Sequence, residues 1–217
     1  MGNLSGNIIG YDPGGNGKHG FAVLHVENGT ANHLEVRTLA DAEEILTVIE
    51  ETSNLIGLGI DTMTCWSTGE SGLRPADRWL REHYEEVSNS IVSPNGMYGS
   101  MGVNGMSVLI KVSEAQEDLF VTETHPKVLF FALFDEKYDY ENNSDQMNEK
   151  LGAELDTDVE TKNDHEWDAA VSTLAVLRSK QGKWTNDLHE IESSNGERFV
   201  EPCGETHYFW PQSESEK

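Results

Sequence analysis

Four short acidic segments stand far apart in the chain, and each places carboxylates beside an apolar run. An apolar run ends on or near an acid in residues 8–12, 57–61 and 121–126. A further apolar run begins with acids in residues 164–169. Carboxylate oxygens are the ligands that hard divalent cations prefer in proteins. Strands of an α/β fold gather polar groups at one edge of the sheet. The segments therefore predict a metal site, provided that the fold brings them together.

Asp12, Asp61 and Asp168 are the candidate catalytic residues and the first candidate metal ligands, and Asp164 and Glu123 are expected to assist them. Asp12 and Asp61 follow apolar strands whose ends would meet if the strands are parallel neighbours. Asp164 and Asp168 are four residues apart and share a face of a helix. The alternative is that these acids only cap turns and helices, where the helix dipole favours them.

Five basic residues are candidates for holding the phosphates of a substrate. Arg74, Arg78 and Arg81 recur at helical spacing, and arginine binds phosphate through two parallel hydrogen bonds. His125 would position a water molecule or a phosphate, or cap a helix. Lys18 lies in a glycine-rich turn that would let a phosphate approach the backbone. The alternative for the arginines is pairing with acids of their own helix.

Composition limits the possible partners. The chain has 217 residues, with 39 acidic residues against 15 basic ones and a net charge of −24. Such a charge argues against a protein that binds nucleic acid with its whole surface, but it permits a small basic groove. No run approaches the roughly 18 apolar residues of a membrane span, and the start lacks the pattern of a signal peptide. A cytoplasmic location without membrane contact is expected, and the oligomeric state is not predicted.

The pattern of apolar residues predicts a single domain over residues 1–217. Strands are expected at 7–12, 21–26, 33–39, 55–61, 120–123 and 207–210, and helices at 41–51, 75–87, 106–119, 127–134 and 166–177. Residues 94–105 are expected to form a long mobile loop. The acid-rich stretch 135–163 is expected to be an insertion or a flexible segment.

The order of these elements indicates the fold class. Three antiparallel strands followed by parallel strands with helical crossovers form an RNase H-like α/β arrangement, a mixed sheet flanked by helices. Sugar-kinase and actin ATPases begin with the same elements. The sequence thus predicts an RNase H-like sheet, with the ATPase class as the alternative.

The ordered motifs resemble those of domain-of-unknown-function family 429, a large family of predicted nucleases with an RNase H-like fold. The likeness covers most of the chain, including residues 206–211. The positions that match the marked residues of the family are Asp12, Asp61, Arg74, Asp77, Arg81, Glu123, His125, Asp164 and Asp168. Two positions depart from the pattern. The segment Met63-Thr64-Cys65 stands where the family usually has a proline after the second aspartate, and Lys127 stands where an acid is common after the His-Pro pair.

We therefore expect a phosphodiester hydrolase, a nuclease that uses clustered Asp and Glu to hold one or two Mg²⁺ or Mn²⁺ ions. Its substrate would be a nucleic acid or a nucleotide. Two alternatives stay open. One is an ATP- or nucleotide-phosphate-binding protein of the actin-kinase type, and the other is a non-catalytic binding module whose acids only cap helices.

Overall fold

The structure is a computed structural model that describes residues 4–92, 100–193 and 199–212. Its central feature is a five-stranded sheet. The strands of the chain are β1 Gly6–Asp12, β2 His19–Glu27, β3 Thr30–Leu39, β4 Leu55–Ile60, β5 Trp66–Ser67, β6 Val121–Glu123, β7 Asn186–Asp187, β8 Phe199–Val200 and β9 Phe209–Trp210. The short strands β5 and β8 pair with each other, as do β7 and β9.

The order of the strands in the large sheet is β3-β2-β1-β4-β6. The first three strands pair antiparallel, and β4 and β6 add to β1 in parallel. This is the RNase H-like mixed sheet that the sequence predicts. Because β1 and β4 are parallel neighbours, their carboxyl ends lie side by side at one edge.

Helices cover both faces of the sheet. They are α1 Ala42–Glu51, α2 Pro75–His83, α3 Ser100–Ala115, α4 Pro126–Phe134, α5 Tyr140–Leu155 and α6 Asp164–Lys180. Helix α6 packs with the residues of one core, and α1 and α3 pack over the other face. Helix α1 begins where the sequence predicts, since the Asp41 side chain accepts hydrogen bonds from Glu43 N and Glu44 N. No helix in the described part of the chain is long and apolar enough to cross a membrane.

Glycines in the sheet allow α6 to lie directly on the strands. A Cβ at Gly10 of β1 would lie 1.9 Å from the Ala169 carbonyl oxygen, and one at Gly59 of β4 would lie 2.1 Å from the Ser172 carbonyl oxygen. Real carbon atoms cannot approach so closely, so only glycine fits at these two positions. This close contact brings the first turns of α6 to the strand ends.

Replacing Gly10 by alanine should therefore destabilise the protein by about 3 kcal/mol, because the new methyl group pushes α6 off the sheet. The matched control is Gly29→Ala. Gly29 has a φ of +80°, and no described atom lies within 4 Å of the place that a Cβ would take, so its cost is only about 1 kcal/mol of backbone strain. Urea unfolding of both variants measures the difference, and equal losses would contradict the close-contact argument.

Two segments differ from the sequence prediction. The stretch 135–163 contains α5, whose Met147, Leu151 and Leu155 are buried in the core that α6 also lines. These three residues recur at a spacing of four, which is a narrow apolar stripe on an otherwise polar helix. The expected loop 94–105 is helical from Ser100 onward, and residues 94–99 of that prediction lie outside the described residues.

Candidate metal centre

Three aspartates meet at the carboxyl edge of the sheet. Asp12 is the last residue of β1, and Asp61 directly follows β4. The two strand ends are joined by a hydrogen bond from Asp61 N to the Tyr11 carbonyl, at 3.0 Å. Asp168 lies in the second turn of α6, which packs against both strands. One carboxylate oxygen from each of the three aspartates lies within 4.8 Å of the others.

The surroundings of these carboxylates disfavour their charged forms. Asp12 is 2% exposed and Asp168 is 6% exposed. Burial is the main cause that raises the pKa of all three carboxyls, and the like charge of Asp12 adds to it at Asp61 and Asp168. Two buried acids and one half-buried acid that repel one another are electrostatically unsatisfied, which is the condition that a bound cation relieves.

The cluster fits a hard divalent cation. Asp168 Oδ1 is buried and has no hydrogen-bond partner among the described residues, so a ligand position is unused. The nearby Tyr138 hydroxyl acts on the pKa of Asp168, but it lacks the geometry of a regular hydrogen bond. Mg²⁺ and Mn²⁺ take oxygen ligands and keep several waters, so three carboxylates suffice.

His165 belongs to this site, although its sequence position alone predicts no role for it. Its Nδ1 lies 2.6 Å from Asp12 Oδ2, and the two form an ion pair when the imidazole is protonated. The hydrogen bond to Asp12 is the main cause that raises the pKa of His165. The available signal was its position three residues before Asp168 in the same helix, which places the two residues on one side.

Lys127 and His125 line the cavity that opens over the aspartates, which has a volume of about 300 Å³. Lys127 is exposed in the first turn of α4, and its positive charge lowers the pKa of all three aspartates. The Nε2 of His125 lies 3.0 Å from the Ser90 carbonyl, while its Nδ1 is buried without a described partner. Burial lowers the pKa of His125, which favours a neutral ring.

Glu123 pairs with Arg74 and lies outside the group of three aspartates, and its expected role as a metal ligand stays a prediction. Its two carboxylate oxygens accept hydrogen bonds from Arg74 at 2.6 and 2.7 Å. The Thr64 backbone amide also donates to Glu123, at 2.9 Å. Burial would raise the pKa of Glu123, but the Arg74 guanidinium outweighs burial and holds that pKa far below its usual range. Both carboxylate oxygens of Glu123 are therefore engaged by Arg74.

All the side-chain N–H donors of Arg74 have partners within the protein, and its expected role in binding phosphate stays a prediction. Its five N–H donors are used by Glu123, Asp77 and the Cys65 carbonyl, and the side chain is 2% exposed. Asp77 also accepts a hydrogen bond from Arg74 N, at 2.8 Å, and this contact caps the N-terminus of α2. The three side chains form a buried ionic cluster that supports the wall of the cavity.

The remaining expected site residues lie at the margins. Arg78 donates to the Leu73 carbonyl and Arg81 to the Ile91 carbonyl, so the three arginines do not form one phosphate-binding face. Lys18 is exposed in the turn after β1 and acts electrostatically on His165. Asp164 lines the cavity, but it lies outside the group of three oxygens and has a half-exposed side chain.

Replacing Asp168 by asparagine should raise the stability of the metal-free protein at neutral pH by about 0.5–2 kcal/mol. The unfolded carboxyl loses its proton near pH 4, whereas the folded carboxyl keeps it to higher pH. The unfolded chain then binds fewer protons, so the wild type loses stability as the pH rises through this window. Thermal melts at several pH values in a chelator measure the effect. It should vanish below pH 4, and the exposed α1 variant Glu50→Gln should show no such gain.

Comparisons with known proteins give only a distant likeness. No protein-family model and no curated protein matches the chain. Among solved structures, Thermus thermophilus RuvC in complex with a Holliday junction substrate is 12% identical, with a TM-score of 0.47, and the alignment covers 82% of this chain and 96% of that one. A second T. thermophilus RuvC structure is 15% identical, with a TM-score of 0.41 and coverage of 81% and 96%. The strand order of the sheet, and not this likeness, establishes the RNase H-like fold.

Proposed function

We propose that the protein is a divalent-metal-dependent phosphodiester hydrolase, a nuclease that acts on nucleic acid or on a nucleotide. The observation that carries the proposal is the meeting of Asp12, Asp61 and Asp168 within 4.8 Å, at the mouth of a cavity. These three residues would hold Mg²⁺ or Mn²⁺. A divalent ion bound there would supply Lewis-acid stabilisation of a phosphodiester oxygen and lower the pKa of a water molecule. The resemblance to predicted nucleases noted for the sequence motifs agrees with this proposal.

The surrounding side chains have distinct tasks in this proposal. His165 holds Asp12 in place through the 2.6 Å contact, which leaves the second oxygen of Asp12 for the ion. Lys127 places an exposed positive charge on the cavity wall, where it would attract and orient a phosphate. Arg74, Asp77 and Glu123 keep the wall rigid. The small cavity and the overall charge of −24 favour a substrate that presents one phosphodiester at a time, and not a long duplex.

The test combines binding with cleavage. Calorimetry should detect Mn²⁺ binding to the wild type, and binding should be lost in Asp12→Asn. Wild-type protein should cleave at least one of single-stranded DNA, duplex DNA, single-stranded RNA and a dinucleotide, in Mn²⁺ and not in EDTA. Absence of Mn²⁺ binding would favour a non-catalytic module. Thermal stabilisation by ATP, without cleavage of any substrate, would favour the nucleotide-binding alternative.

Substitution of Lys127 should separate metal binding from catalysis. In Lys127→Met the carboxylates lose a neighbouring positive charge, so Mn²⁺ should bind more tightly. Cleavage should nevertheless fall by about tenfold or more, because the phosphate loses its cation. The measurements are Mn²⁺ calorimetry and cleavage rates at saturating Mn²⁺. Lys18→Met, in the exposed turn after β1, is the control and should change neither quantity strongly. Parallel losses in both assays would contradict the role of Lys127.

A further inference from the structure

The opposite end of the sheet carries a second group of potential metal ligands, His25, His33 and Glu35. His25 of β2 lies directly across from His33 of β3, and their rings stack with centroids 5.8 Å apart and planes inclined by 5°. Glu35 is two residues beyond His33 and so points to the same face. Its Oε1 lies 3.5 Å from His25 Nε2 and 3.9 Å from His33 Nε2. One carboxylate oxygen thus faces two imidazole nitrogens.

This group is separate from the aspartates. In the register of β1 and β2, His25 pairs with Asn7, whereas Gly20 pairs with Asp12. Five residues of strand correspond to roughly 17 Å at about 3.4 Å per residue. An ion at one group therefore shares no ligand with an ion at the other.

Hydrogen bonds fix the tautomer of His25. The Asn7 amide nitrogen donates to the Ser53 carbonyl at 2.6 Å, and this contact sets the orientation of the Asn7 side chain. The Asn7 Oδ1 then faces His25 Nδ1 at 2.6 Å. Since Oδ1 only accepts, His25 Nδ1 carries the proton. In the neutral ring the lone pair is therefore on Nε2, the atom that faces Glu35.

A lone pair that faces a carboxylate oxygen is repulsive unless a proton or a metal cation lies between them. We propose that His25, His33 and Glu35 bind a first-row divalent cation with an affinity for imidazole, such as Zn²⁺. Zinc takes histidine nitrogen and glutamate oxygen together. The Asn7 contact resembles the outer hydrogen bonds that orient metal-binding histidines. The His33 side chain is 65% exposed, so its ring has room to turn toward an ion, and this rotation would close the gap between the stacked rings.

The test is equilibrium dialysis of the full chain with Zn²⁺, in an Asp12→Asn/Asp168→Asn background that disables the carboxylate centre. We expect His33→Gln and Glu35→Gln each to weaken Zn²⁺ binding at least about tenfold. Both side chains are largely exposed, so both variants should fold. The control is His83→Gln, on α2, because His83 is also exposed but contacts only the Trp79 carbonyl and ring within the described structure. Zn²⁺ affinity should be unchanged in this control.

Imidazole C–H signals in NMR spectra locate the ion directly. On addition of Zn²⁺ below one equivalent, the signals of His25 and His33 should move first. The proposal is overturned if His33→Gln binds Zn²⁺ as tightly as its parent, or if other histidines respond while these two do not. Mn²⁺-dependent cleavage by His33→Gln in the otherwise wild-type chain should stay at the wild-type rate. Loss of the zinc site and failure of the proposed hydrolase are therefore distinguishable.

Discussion

Asp61→Asn is expected to lower Mn²⁺-stimulated cleavage at least about a hundredfold, with little change in fold. Loss of a group that only supports a metal ligand already costs about 10- to 100-fold in affinity or activity, so loss of a direct ligand should cost more. Asparagine has the same shape, but it offers a neutral oxygen to the ion. The Asp61 backbone amide still donates to the Tyr11 carbonyl, so the strand ends stay joined. The measurement is the cleavage rate across a range of Mn²⁺ concentrations.

The variant series also tests how the acids divide their roles. Asp168→Asn should behave like Asp61→Asn, because its oxygen belongs to the same group of three. Asp164→Asn should retain most of the activity, because Asp164 lies outside that group and has a half-exposed side chain. Wild-type rates in Asp61→Asn and Asp168→Asn at every Mn²⁺ concentration would refute a catalytic metal at this edge. A large loss only in Asp164→Asn would move the site to the start of α6.

Arg74→Ala is expected to destabilise the protein by about 3–5 kcal/mol, because it leaves two buried carboxylates without their cation. Arg74 contacts Glu123 and Asp77 with five donors engaged, and burial makes each contact hard to replace with water. The two carboxylates also raise the pKa of Arg74 well above its usual range, against the effect of burial. Urea unfolding measures the loss of stability.

Two further variants make this expectation specific. Arg81→Ala removes an arginine whose described contacts are with the Ile91 carbonyl, and it should cost only about 1 kcal/mol. The triple variant Arg74→Met/Asp77→Leu/Glu123→Met should recover much of the stability lost in Arg74→Ala, since the two carboxylates that Arg74 neutralises are also removed. If Arg74→Ala is as stable as Arg81→Ala and instead raises the KM for the substrate, then Arg74 binds phosphate as the sequence first suggested.

The sequence predicted secondary structure correctly where a local pattern of residues is compatible with only one type of element. The apolar runs that end in Asp12 and Asp61 are strands, and the parallel pairing of β1 and β4 follows from their place in the order of elements. Asp41 predicts the start of α1 because its side chain can bond the free amides of the first turn. The polar stretch 135–163 gave no sign of α5, since a narrow stripe of three buried residues is hidden by many polar neighbours.

Contacts between distant residues were beyond the reach of such patterns. Arg74 and Glu123 are 49 positions apart, and helical spacing alone placed Arg74 with Arg78 and Arg81 on a phosphate-binding face. His165 and Asp12 are 153 positions apart, so nothing in the sequence of α6 showed that the imidazole meets a strand end. In both cases the contact neutralises a buried carboxylate, and an unpaired buried charge is costly.

The sequence by itself determined the strand order, the carboxylates at the strand ends and the helix that carries Asp168. Only the tertiary structure decided which of five acids share a site. Asp12, Asp61 and Asp168 meet because glycines let α6 lie on the strands, and their mutual repulsion leaves a place for a cation. Glu123 sits at the end of the next strand, but it lies close to a buried guanidinium, and the stronger attraction of that pair removes it from the centre.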